Sequence, residues 1–512
     1  MTDLIATLAR EARQHPQRVV LVDARASLTL GELWQRVSAL GEALQQAGLQ
    51  PGDRVALIGA NSPAWVQAWL AALAVGGVVV PLNPELRAAD QAALVAHAEA
   101  DFVFIDQPAQ KVRALHTLIP EKQFVLCHPL EGISHLLLPE EATSVVPLAA
   151  SIGGELACIL YTSGTTGSPK GVMLSHDSLL QNALDVIDYL DLSEKDVALA
   201  LLPFYYSFGN SILLTHLLAG ARLVFGASLM YPEKMLALVA EHGVTGLYGV
   251  PSLFQMLLHK RLLADPRWAS LRVVAQAGGA MSAVAADEIE RALPGRSMFV
   301  MYGQTEATAR ISYLSPEFRR LCPDSVGWPM PDTCIQVRDE AQQLLPCGQV
   351  GQVWIRGPGV MLGYWRNPEA TEQVLLNGWL NTGDMGELDQ RGFLYIRGRR
   401  SDMLKVSGQR LHPQEVEAVI CEMPGVEECA VDGVDDPVAG QVPRAFIVTA
   451  AGVELSERDV LRHCREQLAA WKIPRQIQMV HALPKTGSGK IQRHRLADID
   501  IKNQRKQSEG HA

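Results

Sequence analysis

Eleven consecutive residues, Tyr161-Thr162-Ser163-Gly164-Thr165-Thr166-Gly167-Ser168-Pro169-Lys170-Gly171, carry five Ser/Thr hydroxyls, three glycines and one lysine. They directly follow Leu156-Ala157-Cys158-Ile159-Leu160, an apolar run that reads as a buried strand. A strand that runs into a Gly/Ser/Thr loop suits phosphate. Glycines let backbone N–H groups converge on an anion, hydroxyls donate to its oxygens, and a lysine adds charge. Thr162, Ser163, Gly164, Thr165, Thr166, Gly167 and Lys170 are therefore candidate phosphate contacts. A flexible Ser/Gly linker has a similar composition, but linkers rarely follow a core strand or end in Pro-Lys-Gly. The Walker loop is ruled out, since it ends in Gly-Lys-Ser/Thr.

The rest of the chain must position that loop. With 512 residues, 48% of them hydrophobic, it is long enough for two or more domains with large cores. A formal charge of −10 argues against nucleic acid as a partner. The eight cysteines include no CxxC pair and no His/Cys cluster at metal-ligand spacing, which suits a reducing cytoplasm. The N-terminus shows no basic stretch followed by an apolar one, so no signal peptide is read. The apolar run from Ala64 to Leu82 is broken by Gln67, Gly76-Gly77 and Pro81. It is expected to be a buried helix, a turn and a strand rather than an integral membrane segment.

Asp53–Gly59, a helix opened by Ser62-Pro63, and Val78–Val80 read as a βαβ unit with a parallel sheet. The grammar recurs: strand Ala221–Phe225, helix Tyr231–Glu241, strand Gly246–Gly249, strand Leu271–Ala275, helix Val284–Ala292, strand Met298–Met301. Three Gly-containing loops follow strand candidates: the phosphate loop, Gln276–Ala280 and Tyr302–Glu306. Ligands of open α/β sheets bind beyond the carboxyl ends of strands, so the three loops are expected to share one site. Past residue 345 the pattern changes to short β-like runs and a charged joint, Arg397–Asp402. A small α+β pattern follows: a helix opened by Pro413 with Glu415 and Glu417 early in it, strands Val426–Val431 and Ala445–Val448, and an amphipathic helix Ser456–Leu468. The expectation is an α/β fold: a large N-terminal multi-sheet α/β domain (1–399) and a small mobile α+β C-terminal domain (400–512).

The loop at 161–171 resembles the signature phosphate loop of the adenylate-forming superfamily, which includes acyl-CoA synthetases, carrier-loading adenylation enzymes and luciferases. The resemblance spans nearly the whole chain, with the motifs in the family's order. Tyr302-Gly303-Gln304-Thr305-Glu306 resembles its second core motif. A carboxylate beside phosphates needs a cation between them, so Glu306 is read as a Mg²⁺ ligand, Thr305 as a phosphate contact, and Tyr302 as a ring against adenine. The resemblance further implies that Gly278, Gly279 and Ala280 lie on the adenine and that Asp384, in Asn381-Thr382-Gly383-Asp384, accepts from the ribose hydroxyls. Arg399 would contact the nucleotide. Pro484–Lys490 is similar to the last family motif, which makes Lys490 the cation that meets the carboxylate and the bridging phosphate oxygen, unless the segment is a solvated basic tail with Arg493 and Arg495.

The family's second step moves the acyl group to a thiol after its small domain rotates. Lys405 and Gly408 match the loop that then lines the pantetheine tunnel. The hinge position, usually Asp or Lys, holds Ser401, followed by Asp402, which changes the salt bridges available to each conformation. Leu202–Asn210 matches the segment that gates the acyl pocket, with Tyr206 where many relatives carry His. Tyr248 and Gly249 would form another wall, and Ala277–Ala280 leave the floor open, favouring an acyl chain. Gly209 stands where amino-acid-activating relatives place an Asp, so a plain carboxylic acid is expected. The implied activity is an AMP-forming acid–CoA ligase using ATP, Mg²⁺ and CoA, with a fatty or other acyl acid as substrate. The alternative is a carrier-protein-loading ligase whose thiol belongs to phosphopantetheine. A non-catalytic nucleotide-binding relative would have lost Lys490 or Glu306, and nothing specifically supports a luciferase-like oxygenase.

Overall fold

The computed structural model describes residues 4–139, 156–162, 169–407, 409–436, 440–450, 452–485 and 491–499. The expected βαβ unit is present. Strands Arg54–Gly59 and Val78–Leu82 pair in parallel, with Arg54 opposite Val78. Ser62 caps the intervening helix Pro63–Ala74, its Oγ accepting from the Trp65 N–H at 3.1 Å. Pro63 sits in the first turn, where it needs no N–H partner. From Trp65 to Ala74 every residue of this helix is buried, so the apolar run belongs to the core. No helix among the described residues is long and apolar enough to cross a membrane.

The described residues form four sheets. Leu156–Thr162 and Lys170–Ser175 pair antiparallel in an eight-stranded sheet that also holds the βαβ strands. Val273–Gln276 and Ser297–Tyr302 lie side by side, in parallel, in a separate nine-stranded sheet. The three Gly-containing loops therefore follow strands of two different sheets. A third, antiparallel sheet contains Gly351–Arg356, Trp379–Leu388 and Leu394–Arg399. The fourth is built wholly from strands at or beyond Leu404.

In that fourth sheet the strands run further than the apolar residues alone suggest. Val426–Asp436 pairs with Gly440–Thr449 along most of its length. The polar extension is held by Arg444 and Asp432, opposite each other and ion-paired at 2.7 Å. Pro413 opens the helix Pro413–Cys421 as expected. Glu417 does more than complement the helix dipole: it accepts from the Val431 N–H at 2.6 Å and pairs with Arg493. Arg493 also lies 3.2 Å from Asp402, so it is an internal ion-pair hub and not part of a solvated tail. At the joint, Ser401 Oγ donates to Asp402 at 3.0 Å.

The helix Ser207–Leu218 is buried along nearly its whole length, including Asn210, Ser211, Thr215 and His216. His216 Nδ1–H donates to the Ile212 carbonyl at 2.8 Å, and the ring meets Tyr248 edge-on with centroids 5.3 Å apart. Burial pulls the His216 pKa down from 6.5 to about 4. Above pH 6.5 the ring is neutral whether folded or unfolded; below it, the unfolded chain takes up a proton that the folded protein resists until about pH 4. Stability present above pH 6.5 is thus lost as pH falls. Urea unfolding should show about 2 kcal/mol of this loss between pH 7 and pH 5, absent in His216→Gln.

Candidate active site

Tyr302 ends its strand and donates its hydroxyl to Asp384 Oδ2 at 2.5 Å. The other Asp384 oxygen receives Arg399 Nε at 2.8 Å, because Asp384 and Arg399 face each other across paired strands. Three residues picked from distant motifs thus form one contiguous cluster. Asp384 is buried, and its charge raises the Arg399 pKa above its ordinary value. Burial, reinforced by that carboxylate, keeps the Tyr302 phenol protonated. The Thr382 hydroxyl donates to the Val353 carbonyl at 2.9 Å and accepts from the Asp384 N–H at 3.1 Å, fixing the backbone that aims the carboxylate.

Beyond Tyr302 the chain makes a single tight turn, Thr305–Ala307, carrying Thr305 and Glu306. It exits through Thr308 and Ala309 at φ 53° and 80°, a conformation that non-glycine residues adopt only under constraint. Gly303 makes this possible: a Cβ there would lie 1.9 Å from the Ala309 carbonyl oxygen. Glu306 accepts from the Tyr364 hydroxyl at 2.9 Å, and Lys170 Nζ sits 4.9 Å from the centre of the Tyr364 ring. Tyr364 therefore joins the end of the phosphate loop to the carboxylate of the second motif. Burial and the Glu306 charge hold its phenol protonated and donating. Sequence reading did not single it out, since Gly363-Tyr364 carries no spacing that marks it.

Thr305 Oγ1 lies 3.1 Å from Ser207 Oγ at the start of the helix Ser207–Leu218. Tyr206 is half-buried beside Tyr205, with ring centroids 4.5 Å apart. Gly209 is packed against the preceding turn, where a Cβ would fall 2.1 Å from the Pro203 carbonyl oxygen. Gly249 is crowded by Leu253, and the Tyr248 ring folds back over Gly246. Gly278, Gly279 and Ala280 are exposed, and Gln276 Nε2 holds their loop by donating to the Gly279 carbonyl at 2.7 Å. Lys405 is exposed on the strand Leu404–Val406. Ser163, Gly164, Thr165, Thr166, Gly167, Gly408 and Lys490 lie outside the described residues.

A family model described as AMP-binding enzyme matches residues 8–365, and one for the AMP-binding enzyme C-terminal domain matches 415–490. The chain belongs to the AMP-binding enzyme family. A feruloyl-CoA synthase from Amycolatopsis sp is 34% identical over 493 residues, covering 94% of this chain and 96% of the relative. A 2-succinylbenzoate–CoA ligase from Bacillus licheniformis is 32% identical, covering 96% and 98%. Among solved structures, an anthranilate CoA ligase in complex with anthranoyl-AMP superposes with a TM-score of 0.89 at 27% identity, covering 97% of each chain. An o-succinylbenzoate CoA synthetase from Bacillus subtilis, in complex with ATP and magnesium, gives 0.84 at 28%, covering 96% and 99%. This AMP-binding enzyme is an AMP-forming acid–CoA ligase that uses ATP, Mg²⁺ and CoA. These relatives lend the carrier-protein alternative no support.

The described residues fit a magnesium ion of the kind that rides on phosphates. No group of three or more metal-ligating side chains comes together among them. Glu306 instead supplies a single carboxylate oriented by Tyr364. One or two carboxylates plus substrate phosphates is the usual Mg²⁺ environment in nucleotide enzymes. Tyr364→Phe in this AMP-binding enzyme should slow adenylation by about tenfold, the worth of one lost hydrogen bond to a charged group. It should also raise the Mg²⁺ concentration needed for half-maximal rate, measured by titrating Mg²⁺ at fixed ATP.

Proposed function

We propose that the Tyr302–Asp384–Arg399 cluster holds the nucleoside of ATP while the Thr305–Glu306 turn handles its phosphates, so that an acid entering beside the gate helix is converted to acyl-AMP. The observation that carries this reading is the convergence of Tyr302, Asp384 and Arg399 within hydrogen-bonding distance. Asp384 presents a buried carboxylate that can accept from the ribose hydroxyls, and Arg399 stays charged beside it. Tyr302 contributes its ring to the adenine through a position locked by its hydroxyl, next to the open Gly278–Ala280 loop. Mg²⁺, when bound at Glu306, neutralises phosphate charge. Lys170 with Thr162, Ser163, Gly164, Thr165, Thr166 and Gly167 adds donors to the same phosphates. Thr305, tied to Ser207, sits between the phosphate side and the acid side.

Lys490 meets the carboxylate and the bridging oxygen as negative charge builds between two anions, where a cation counts most in a dry cleft. The chain divides near residue 400, and the part beyond it, which carries Lys490, Lys405 and Gly408, moves between the adenylating and thiol-transferring arrangements. Asp402, held by Arg493, replaces the usual hinge residue as the charged anchor of that joint. Tyr206 gates the acid, with Gly209, Tyr248 and Gly249 shaping the cavity around it. The substrate is a carboxylic acid without an α-ammonium group. Exchange of labelled pyrophosphate into ATP tests the adenylation step. Exchange that requires an added acid and Mg²⁺ supports the reading, whereas exchange driven by amino acids but not by simple carboxylic acids would overturn it.

A further inference from the structure

Between the two proposed walls of the acid cavity lies a cation without a counter-ion among the described residues. Arg310 is 3% exposed. Its guanidinium lies over the Phe208 ring of the gate segment, 4.2 Å from the centroid. Its Nε donates to the Met301 sulfur at 3.3 Å, and the Tyr189 hydroxyl also faces it. Tyr189 and Tyr248, both kept neutral by burial, act on it electrostatically, and among the described residues no carboxylate pairs with it. Nη1 has no hydrogen-bond partner among the described residues.

Its surroundings are short of partners too. The Tyr248 hydroxyl, His216 Nε2, both amide atoms of Asn210 and Ser211 Oγ are buried and unpaired among the described residues. Asn210 and Ser211 border a cavity of about 10 Å³, room for one water. A buried guanidinium with no anion among the described residues, beside the unpaired Tyr248 hydroxyl, is costly, and a folded protein keeps such groups where a ligand completes them. An alkyl tail packed here would seal the charge in with nothing to pair it. The Tyr248 ring folds back over Gly246, toward the amino-terminal ends of the strands. Arg310 follows the Thr305–Ala307 turn, and its side chain reaches back along the strand to Met301, to the Tyr248 side of that turn.

We propose that Arg310 anchors the far end of the acid, and that the substrate is a carboxylic acid bearing a second carboxylate or comparable hydrogen-bond acceptor distal to the reacting one. The assignment rests on the reading that this site adenylates an acid, and it changes the substrate from a plain acyl chain to a polar-ended one. The guanidinium fork can take a carboxylate through two parallel N–H donors, and the Phe208 face screens its other side from water. A site built this way rejects an analogue lacking the acceptor far more strongly than an apolar pocket rejects a missing methylene.

The test compares matched monocarboxylic and α,ω-dicarboxylic acids, from butyrate and succinate to decanoate and sebacate, with benzoate and terephthalate as the aryl pair. Acid-dependent pyrophosphate exchange is read in the full-length wild type, Arg310→Met and Arg310→Lys. The wild type should favour the diacid of the best pair by at least about 100-fold in kcat/KM. Arg310→Met should abolish that preference mainly through KM, with the monoacid unchanged or improved, and Arg310→Lys should keep part of it. A wild type that uses the monoacids equally well or better would overturn the assignment, as would a Met variant that slows mono- and diacids alike. If Arg310→Met does not fold, the wild-type preference and the Lys variant decide. Exchange with none of the acids would sink the adenylation reading itself, a result distinct from exchange without diacid preference.

Discussion

Lys490→Ala slows acyl-adenylate formation by roughly 10²–10³-fold, measured by rapid quench with saturating ATP and acid. Both reactants at this step are anions: the attacking carboxylate and the α-phosphate. Their approach builds charge on the bridging oxygen just as pyrophosphate departs. A lysine delivered at the end of Gly487-Ser488-Gly489 supplies a compact cation with little obstruction from neighbouring side chains. Its worth comes from the transition state and not from ground-state binding, so KM for ATP changes far less than kcat. Given preformed acyl-AMP and CoA, the same variant should transfer the acyl group at close to the wild-type rate, because the role we propose for Lys490 is confined to the adenylating half-reaction. Equal loss in both half-reactions would assign Lys490 a general structural role and contradict this account.

Asp384→Ala raises KM for ATP by roughly 10–150-fold, the value of about 1.5–3 kcal/mol in hydrogen bonds to a charged acceptor. In the structure the carboxylate accepts from Tyr302 and pairs with Arg399. In the proposed reading its remaining lone pairs take the ribose diol. Truncation removes the ribose acceptor and strands both partners. Asp384→Asn keeps the shape and one acceptor oxygen but loses the charge opposite Arg399, so it falls between wild type and alanine. KM for CoA, measured with preformed acyl-AMP, stays within about twofold of wild type in both variants. An alanine variant with unchanged KM for ATP would remove Asp384 from the nucleotide site.

Much of this arrangement is written locally. Ser62-Pro63 announces a helix start because capping and the first turn depend only on neighbours, and the structure bears that out. The Tyr302, Asp384 and Arg399 motifs are visible as short strings, and strand pairing then places them together. What escapes sequence reading is set by distance along the chain. Tyr364 matters through Glu306, 58 residues away, and through Lys170 in another strand of its sheet. The unpaired state of Arg310 depends on Phe208, Tyr189, Tyr248 and Met301, brought to it by separate elements. Glu417 suits an early helical position on charge grounds, yet Arg493, 76 residues on, also claims it. The polar half of the Val426–Asp436 strand lacks an apolar pattern, and only its partner strand with Arg444 makes it extended.

The most direct measurement of the central claim is mass spectrometry of the products formed from ATP, Mg²⁺ and a panel of aliphatic, aryl and dicarboxylic acids, with and without CoA. The account predicts acid-dependent formation of AMP and pyrophosphate, and acyl-CoA in amounts equal to AMP once CoA is added. Acyl-AMP that accumulates and ignores CoA, or ADP in place of AMP, would contradict it.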